Sequence, residues 1–193
     1  MPGQQRKLRR RNKHVMIIAL AGRRIDPPAA LEARFPPHNA DRVTRELSQL
    51  FDKHGVTGLV SSAAAGADIL GLEAAGPRVH RRVVLPFNTQ KFRKSSVADR
   101  GEAWGERYDK LLDQVKAAGD LVVLDFSTGD DAAYVATNTV ILDEAERLAQ
   151  SLQEPIEAVI VWNGQSRGSG DVTGAFREEA TRRGLRIQEI STV

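Results

Sequence analysis

The residues best suited to chemistry lie in a few short runs. The densest is Asn163-Gly164-Gln165-Ser166-Arg167-Gly168-Ser169-Gly170, with three glycines between Gly164 and Gly170. Glycine permits positive φ and lets a ligand approach the backbone closely. An apolar β-branched run, Ala158–Trp162, precedes it, and Asp171 or Thr173 can cap a helix running on to about Arg183. Strand, glycine-rich loop and helix start together present free N–H groups and a positive dipole end to an anion. Gly168, Ser169, Gly170 and Thr173 are therefore candidate phosphate contacts, with Asn163 and Gly164 at the strand exit. The run matches neither GxxxxGK[ST] nor GxGxxG, and an ordinary βα loop with extra glycines reads the same way.

Three further runs carry polar groups at comparable places. Gly22-Arg23-Arg24 follows an apolar run, Val15–Leu20. Gly22 admits close approach, and Arg23 or Arg24 can fork onto a phosphate, the other being a solvated arginine. Ser61, Ser62 and Gly66 follow Gly58-Leu59-Val60 and can line a sugar or a second phosphate. Asp68 can accept a ribose hydroxyl or serve a helix start. Asn138 can read a base edge or sit exposed on its helix. Asp68 and Glu73 are the candidates for a catalytic carboxylate, although solvent exposure fits Glu73 as well. The four histidines, His14, His38, His54 and His80, show no metal spacing, and no G-x-S-x-G elbow occurs.

The elements that must position these groups follow from apolar periodicity. Strands are expected at 15–20, 58–60, 79–85, 120–126, 158–162 and 185–190. Helices are expected from Asn39 or Asp41 to Lys53, and at 69–75, 102–118, 132–152 and 172–183. The segment 87–99 reads as a long connection. Strands alternating with helices give a mostly parallel, doubly wound α/β sheet with helices on both faces, a Rossmann-like architecture. Ligands of such sheets sit outside the carboxyl ends of the strands, at a switch in strand order. The loops at that edge are 21–38, 61–67, 86–95, 127–131 and 163–171. They carry the glycines, serines and arginines noted above, which points to a phosphate-bearing ligand.

Bulk properties narrow the class. The chain has 193 residues, 41% hydrophobic and 27% charged, ordinary values for a globular protein. It has no cysteine, so disulfides and thiolate metal sites are excluded, and a cytoplasmic setting is expected. No apolar run reaches the roughly 20 residues of a membrane span. Residues 1–14 hold six Lys or Arg and no acid; subtracting those six from the net charge of +3 leaves −3 for residues 15–193. The division expected is a disordered basic tail, 1–14, and one domain, 15–193. The tail is a place for weak nucleic-acid contact.

The order of motifs resembles the SLOG superfamily, which includes the DNA-processing protein DprA (Smf) and the Lonely Guy phosphoribohydrolases. The resembling segments are Ala21-Gly22-Arg23-Arg24-Ile25-Asp26, Ser61-Ser62 with Gly66-Ala67-Asp68, Val84-Leu85-Pro86-Phe87 with Phe92, Ser95, Ser96 and Val97, Tyr134 with Asn138, and Val161–Gly164. The Gly168–Thr173 loop occupies the family's Gly-Gly-x-Gly-Thr position, and the resemblance spans about residues 15–190. It implies a nucleotide or nucleotide-derived ligand (a nucleoside phosphate, an ADP-ribose or NAD type, or a cyclic nucleotide) bound by a sensor or binding module. Its alternatives are an N-glycosidic-bond-cleaving, phosphoribohydrolase-like enzyme and a DprA-like single-stranded nucleic-acid binder. Phe176 stands where the phosphoribohydrolases resemble one another in a catalytic Glu, which argues against that hydrolysis. No cofactor is required on this reading, no membrane is involved, and a homodimer is plausible by analogy.

Overall fold

The computed structural model describes residues 15–127 and 129–193. The expected tail, 1–14, lies outside the described residues. Six strands form one all-parallel sheet in the order β4-β3-β2-β1-β5-β6: β1 Met16–Gly22, β2 Val56–Ser61, β3 His80–Leu85, β4 Leu121–Val123, β5 Ile156–Trp162 and β6 Arg186–Ser191. The helices are α1 Ala40–His54, α2 Ala67–Ala75, α3 Thr89–Ser96, α4 Glu102–Ala117, α5 Asp131–Leu152 and α6 Val172–Arg182. This is a doubly wound, Rossmann-like α/β fold.

The central strands are apolar on both faces because both faces are covered. Ile18 and Leu20 of β1 join Val43 and Leu47 of α1, Ile69 of α2 and Tyr108 of α4 in one core layer. Ile17 and Ala19 of the same strand face the other layer, with Ile141 and Leu148 of α5 and Phe176 of α6. Winding runs outward from β1 to β4. The 22-residue α5 then returns across the opposite face, and β5 adds on the far side of β1. The direction of winding therefore reverses between β1 and β5, and the loops after these two strands open outward at that point.

Two element expectations need correction. Segment 87–99 is not one connection: it holds α3, whose Asn88 side chain accepts from the Lys91 amide at 2.9 Å, and a 3-10 turn at Ala98–Arg100. A short polar helix with Phe92 as its main apolar anchor leaves little periodic signal. The fourth strand covers Leu121–Val123, not 120–126, although the Leu124 and Phe126 amides still bond to the Leu85 and Pro86 carbonyls at 2.8 and 3.0 Å. At the start of α1, Asn39 makes no side-chain cap, and its Nδ2 instead donates to the Thr192 carbonyl at 3.0 Å. Among the described residues no helix is long and apolar enough to cross a membrane.

Candidate functional site

A cavity of about 770 Å³ opens at the carboxyl edge of the sheet, within the roughly 300–1,000 Å³ of small-molecule sites. The end of β1 forms its floor through Leu20, Ala21 and Gly22. The loop after β1 supplies Arg24, Asp26 and Arg34. Ser62 and Asp68 come from the β2–α2 segment, Phe92 and Ser96 from α3, Tyr134, Thr137 and Asn138 from α5, and Thr173 from the start of α6.

Gly22 and Gly66 let these segments close up. A Cβ on Gly22 would lie 2.4 Å from the Val161 carbonyl oxygen and 2.5 Å from the Ala67 Cβ. Residues 23–25 run antiparallel to 65–67, with the Ile25 amide donating to the Ala65 carbonyl at 2.9 Å and the Ala67 amide to the Arg23 carbonyl at 3.1 Å. Gly66 sits there at φ +123°, and a Cβ on it would meet the Ile25 nitrogen at 2.5 Å. The result is a tight β1–α2 corner that carries Arg24 and Asp68 into the cavity together.

Asp68 is 7% exposed, and one of its oxygens accepts from the Ala64 amide at 3.2 Å. Burial pushes its carboxyl up to about 7, against the opposing pull of the Ala64 amide, Arg24 and the Gly22 amide. It is therefore a proton donor and acceptor poised near neutrality at the wall of a cavity. It lies in the first turn of α2, whose N-cap is Gly66. On α5, Asn138 is buried and its Nδ2 donates to the Val172 carbonyl at 2.8 Å, tying α5 to the start of α6. The Tyr134 hydroxyl and Ser96 Oγ are 2.8 Å apart.

Arg23 is not a free phosphate fork. It is 5% exposed, and its Nη1 and Nη2 donate to Asp171 at 2.5 and 2.9 Å. Nη2 also reaches the Gln165 carbonyl at 2.6 Å, and Nε donates to Asn163 Oδ1 at 3.2 Å. Asp171 in turn accepts from the Arg167 amide at 2.9 Å and the Thr173 amide at 3.2 Å. Burial alone would raise Asp171, but the bonds from Arg23 and from the Arg167 and Gly174 amides outweigh it and hold the carboxyl far below the usual carboxylate range.

Of the sequence candidates, the cavity brings together Gly22, Arg23, Arg24, Ser62, Asp68, Asn138 and Thr173. The others lie outside its lining. Ser61 is fully buried, its Oγ donating to the Leu20 carbonyl at 2.9 Å. Gly66 is a packing residue and Asn163 is a partner of Arg23. Gly164, Gly168, Ser169 and Gly170 form the loop beside the cavity; the three glycines take φ of +73°, +82° and +85°, so the turn itself requires them. Glu73 sits on the outer face of α2, paired with Arg107, whose Nε donates to it at 3.0 Å. Phe176 is fully buried in the α5–α6 layer, so its position points into the core.

Sequence reasoning passed over Arg100. It lies in the turn after α3, lines the cavity, and donates from Nε to the Ile25 carbonyl at 2.8 Å. Both Arg100 and Arg24 pair with Asp99. Only the arginine's residue type hinted at this; its partner carbonyl is 75 residues away. Tyr134, Phe92 and Ser96 were visible as parts of motifs but not as cavity residues. Among the described residues, no group of three or more His, Asp or Glu is placed to hold a metal ion. No protein-family model matches the chain, and no curated protein does.

Proposed function

We propose that this chain is a SLOG-like binding module for a nucleotide or nucleotide-derived ligand, held in the cavity at the carboxyl edge of the sheet. One observation carries the reading: the cavity lies where the winding direction reverses, and its lining combines arginines with the polar groups of Asp68, Asn138, Ser62 and Thr173. Cationic groups suit the phosphate, and neutral donors and acceptors suit a sugar or base edge. The test is a thermal-shift screen followed by calorimetry with nucleoside mono- and diphosphates, ADP-ribose, NAD and cyclic nucleotides. A ligand present at a hundred times its Kd stabilises the fold by about 2.7 kcal/mol. The reading fails if none of these compounds shifts the transition at millimolar concentration.

A second reading has its own support. Asp68, with its carboxyl near 7, has the proton affinity expected of a general acid or base. An N-glycosidase of this fold would route its proton through Asp68 and not through the position of Phe176, which faces the core. The single-stranded nucleic-acid reading rests on residues 1–14, outside the described residues, and no feature of the cavity favours it.

A further inference from the structure

We propose that the anionic group of the ligand, a phosphomonoester or pyrophosphate, is held by Arg24 and Arg100, and that it displaces Asp99, which serves as their built-in counter-ion. This rests on the cavity's being a nucleotide site, and it moves the phosphate away from the glycine-rich loop ahead of α6.

That loop is already served by an anion of its own. The Asp171 carboxylate accepts from the Arg167 and Thr173 amides and holds Arg23 through two bonds. An incoming phosphate would meet a buried, ionised carboxylate there, and like charges at contact distance repel strongly in a poorly solvated site. Two of the amides a phosphate would use, those of Arg167 and Thr173, are taken, and so is the Arg23 guanidinium.

Arg24 and Arg100 are less fully engaged. Arg24 and Arg100 share the single carboxylate of Asp99, with Arg100 Nη1 at 2.9 Å from Asp99 Oδ2. Two guanidiniums therefore divide one directly bonded carboxylate between them. The two guanidiniums sense each other: burial first, and then the charge of Arg24, lowers the proton affinity of Arg100. Asp26 acts on Arg100 only through space, with its Oδ2 bonded to the Arg34 and Phe35 amides at 2.8 and 2.9 Å and not to either guanidinium. Asp68 faces Arg24, and its burial favours the neutral form.

Arg24 also carries a stranded donor. Its Nε is buried and has no hydrogen-bond partner among the described residues. An orphaned buried donor costs about 1–3 kcal/mol. Nη2 of the same guanidinium is committed to Asp99. A phosphate taken side-on by Nε and Nη2 would satisfy both donors with two charge-assisted bonds. Both arginines are anchored, one through its backbone and one through its side chain. The Arg24 backbone is bridged to Gly66, and the Arg100 side chain donates from Nε to the Ile25 carbonyl. The Arg24 and Asp99 side chains are each about a third exposed, so the ion pair can open without unfolding its surroundings.

The test compares Arg24→Gln, Arg100→Gln and Asp99→Asn with the parent by calorimetry. The probes are AMP, GMP, inorganic pyrophosphate and, as the uncharged control, adenosine and guanosine. Each arginine variant is expected to weaken whichever of the phosphate-bearing probes binds by roughly tenfold or more and to leave nucleoside binding unchanged. Asp99→Asn is expected to bind the same probe about two- to fivefold tighter. Because Asp99→Asn preserves size and keeps both arginines, it reads the proposal even if an arginine variant fails to fold. Unchanged phosphate binding in Arg24→Gln and Arg100→Gln, or weaker binding in Asp99→Asn, overturns the subsite while the nucleotide reading stands. If no phosphate-bearing probe binds the parent protein, the subsite falls, and the nucleotide reading falls with it when the wider panel of ADP-ribose, NAD and cyclic nucleotides is silent as well.

Discussion

Asp68→Asn tests the physical claim on which the chemistry of the cavity depends. The Asp68 carboxyl is buried, and its pKa rises from 3.8 to about 7. At about 1.4 kcal/mol per pKa unit, keeping this group ionised in the folded state costs about 4 kcal/mol, an upper figure that relaxation of the site will reduce. The sign follows from proton binding. Between pH 4 and 7 the folded protein holds a proton on Asp68 that the unfolded chain releases, so this group makes stability fall as pH rises through that window and level off above it. Asparagine does not titrate. Urea unfolding of both proteins at half-unit steps from pH 4 to 8 should give a difference curve that favours the variant progressively, by about 2–4 kcal/mol across the window. The amide bonds that the substitution loses shift the whole curve but leave its slope unchanged. Titration of the Asp68 carboxyl carbon by NMR should place its midpoint near 7. A flat difference curve together with a midpoint near 4 would refute the argument and remove Asp68 as a neutral-pH acid or base.

Three further outcomes follow from the same geometry. Arg23→Met or Asp171→Asn alone should lower stability by about 3–5 kcal/mol in urea melts, since either leaves a buried charge unpaired. The double variant Arg23→Met with Asp171→Leu should cost much less than the two single changes together. Because the Asp171 carboxyl is held low when folded, its contribution is present above about pH 4 and is lost as pH falls toward that depressed value. Gly22→Ala should cost about 1–3 kcal/mol and lower the Tm, because its Cβ cannot stand 2.4 Å from the Val161 carbonyl without moving the β1–α2 corner. Release of free base from nucleoside monophosphates, followed by chromatography, should be absent or slow; turnover at about 1 s⁻¹ or faster that Asp68→Asn abolishes would establish the enzyme reading.

Much of the fold is legible in the sequence because burial on both faces writes the strands as apolar runs. Ala158–Trp162 lies within β5, and Val15–Leu20 falls in β1 apart from Val15, which precedes it. α1 is legible because Val43, Leu47 and Phe51 recur on one face. What escapes is short or polar. α3 spans eight residues and exposes half of them, and its Asn88 cap looks like any loop asparagine. Strand order is not written locally at all; it follows from how α5 crosses the opposite face, a matter of packing at long range.

The site is legible in outline and ambiguous in detail, and Arg23 with Arg24 shows why. Adjacent arginines look equivalent, yet the partner that fixes Arg23 is Asp171, 148 positions away. The partner that leaves Arg24 half-satisfied is Asp99, 75 positions away. The glycine-rich loop carries a second lesson. Strand, glycines and helix start are read as a phosphate cradle because the helix amides are free. Asp171, already visible as a possible cap, takes the Arg167 and Thr173 amides, and a capping carboxylate and a bound phosphate compete for those donors. Where the cap is an acid that also has a buried arginine, the helix start is neutralised from within. The anion is then better sought where guanidiniums share a carboxylate and keep a donor unbonded, as Arg24 and Arg100 share Asp99 and the Arg24 Nε has no partner among the described residues.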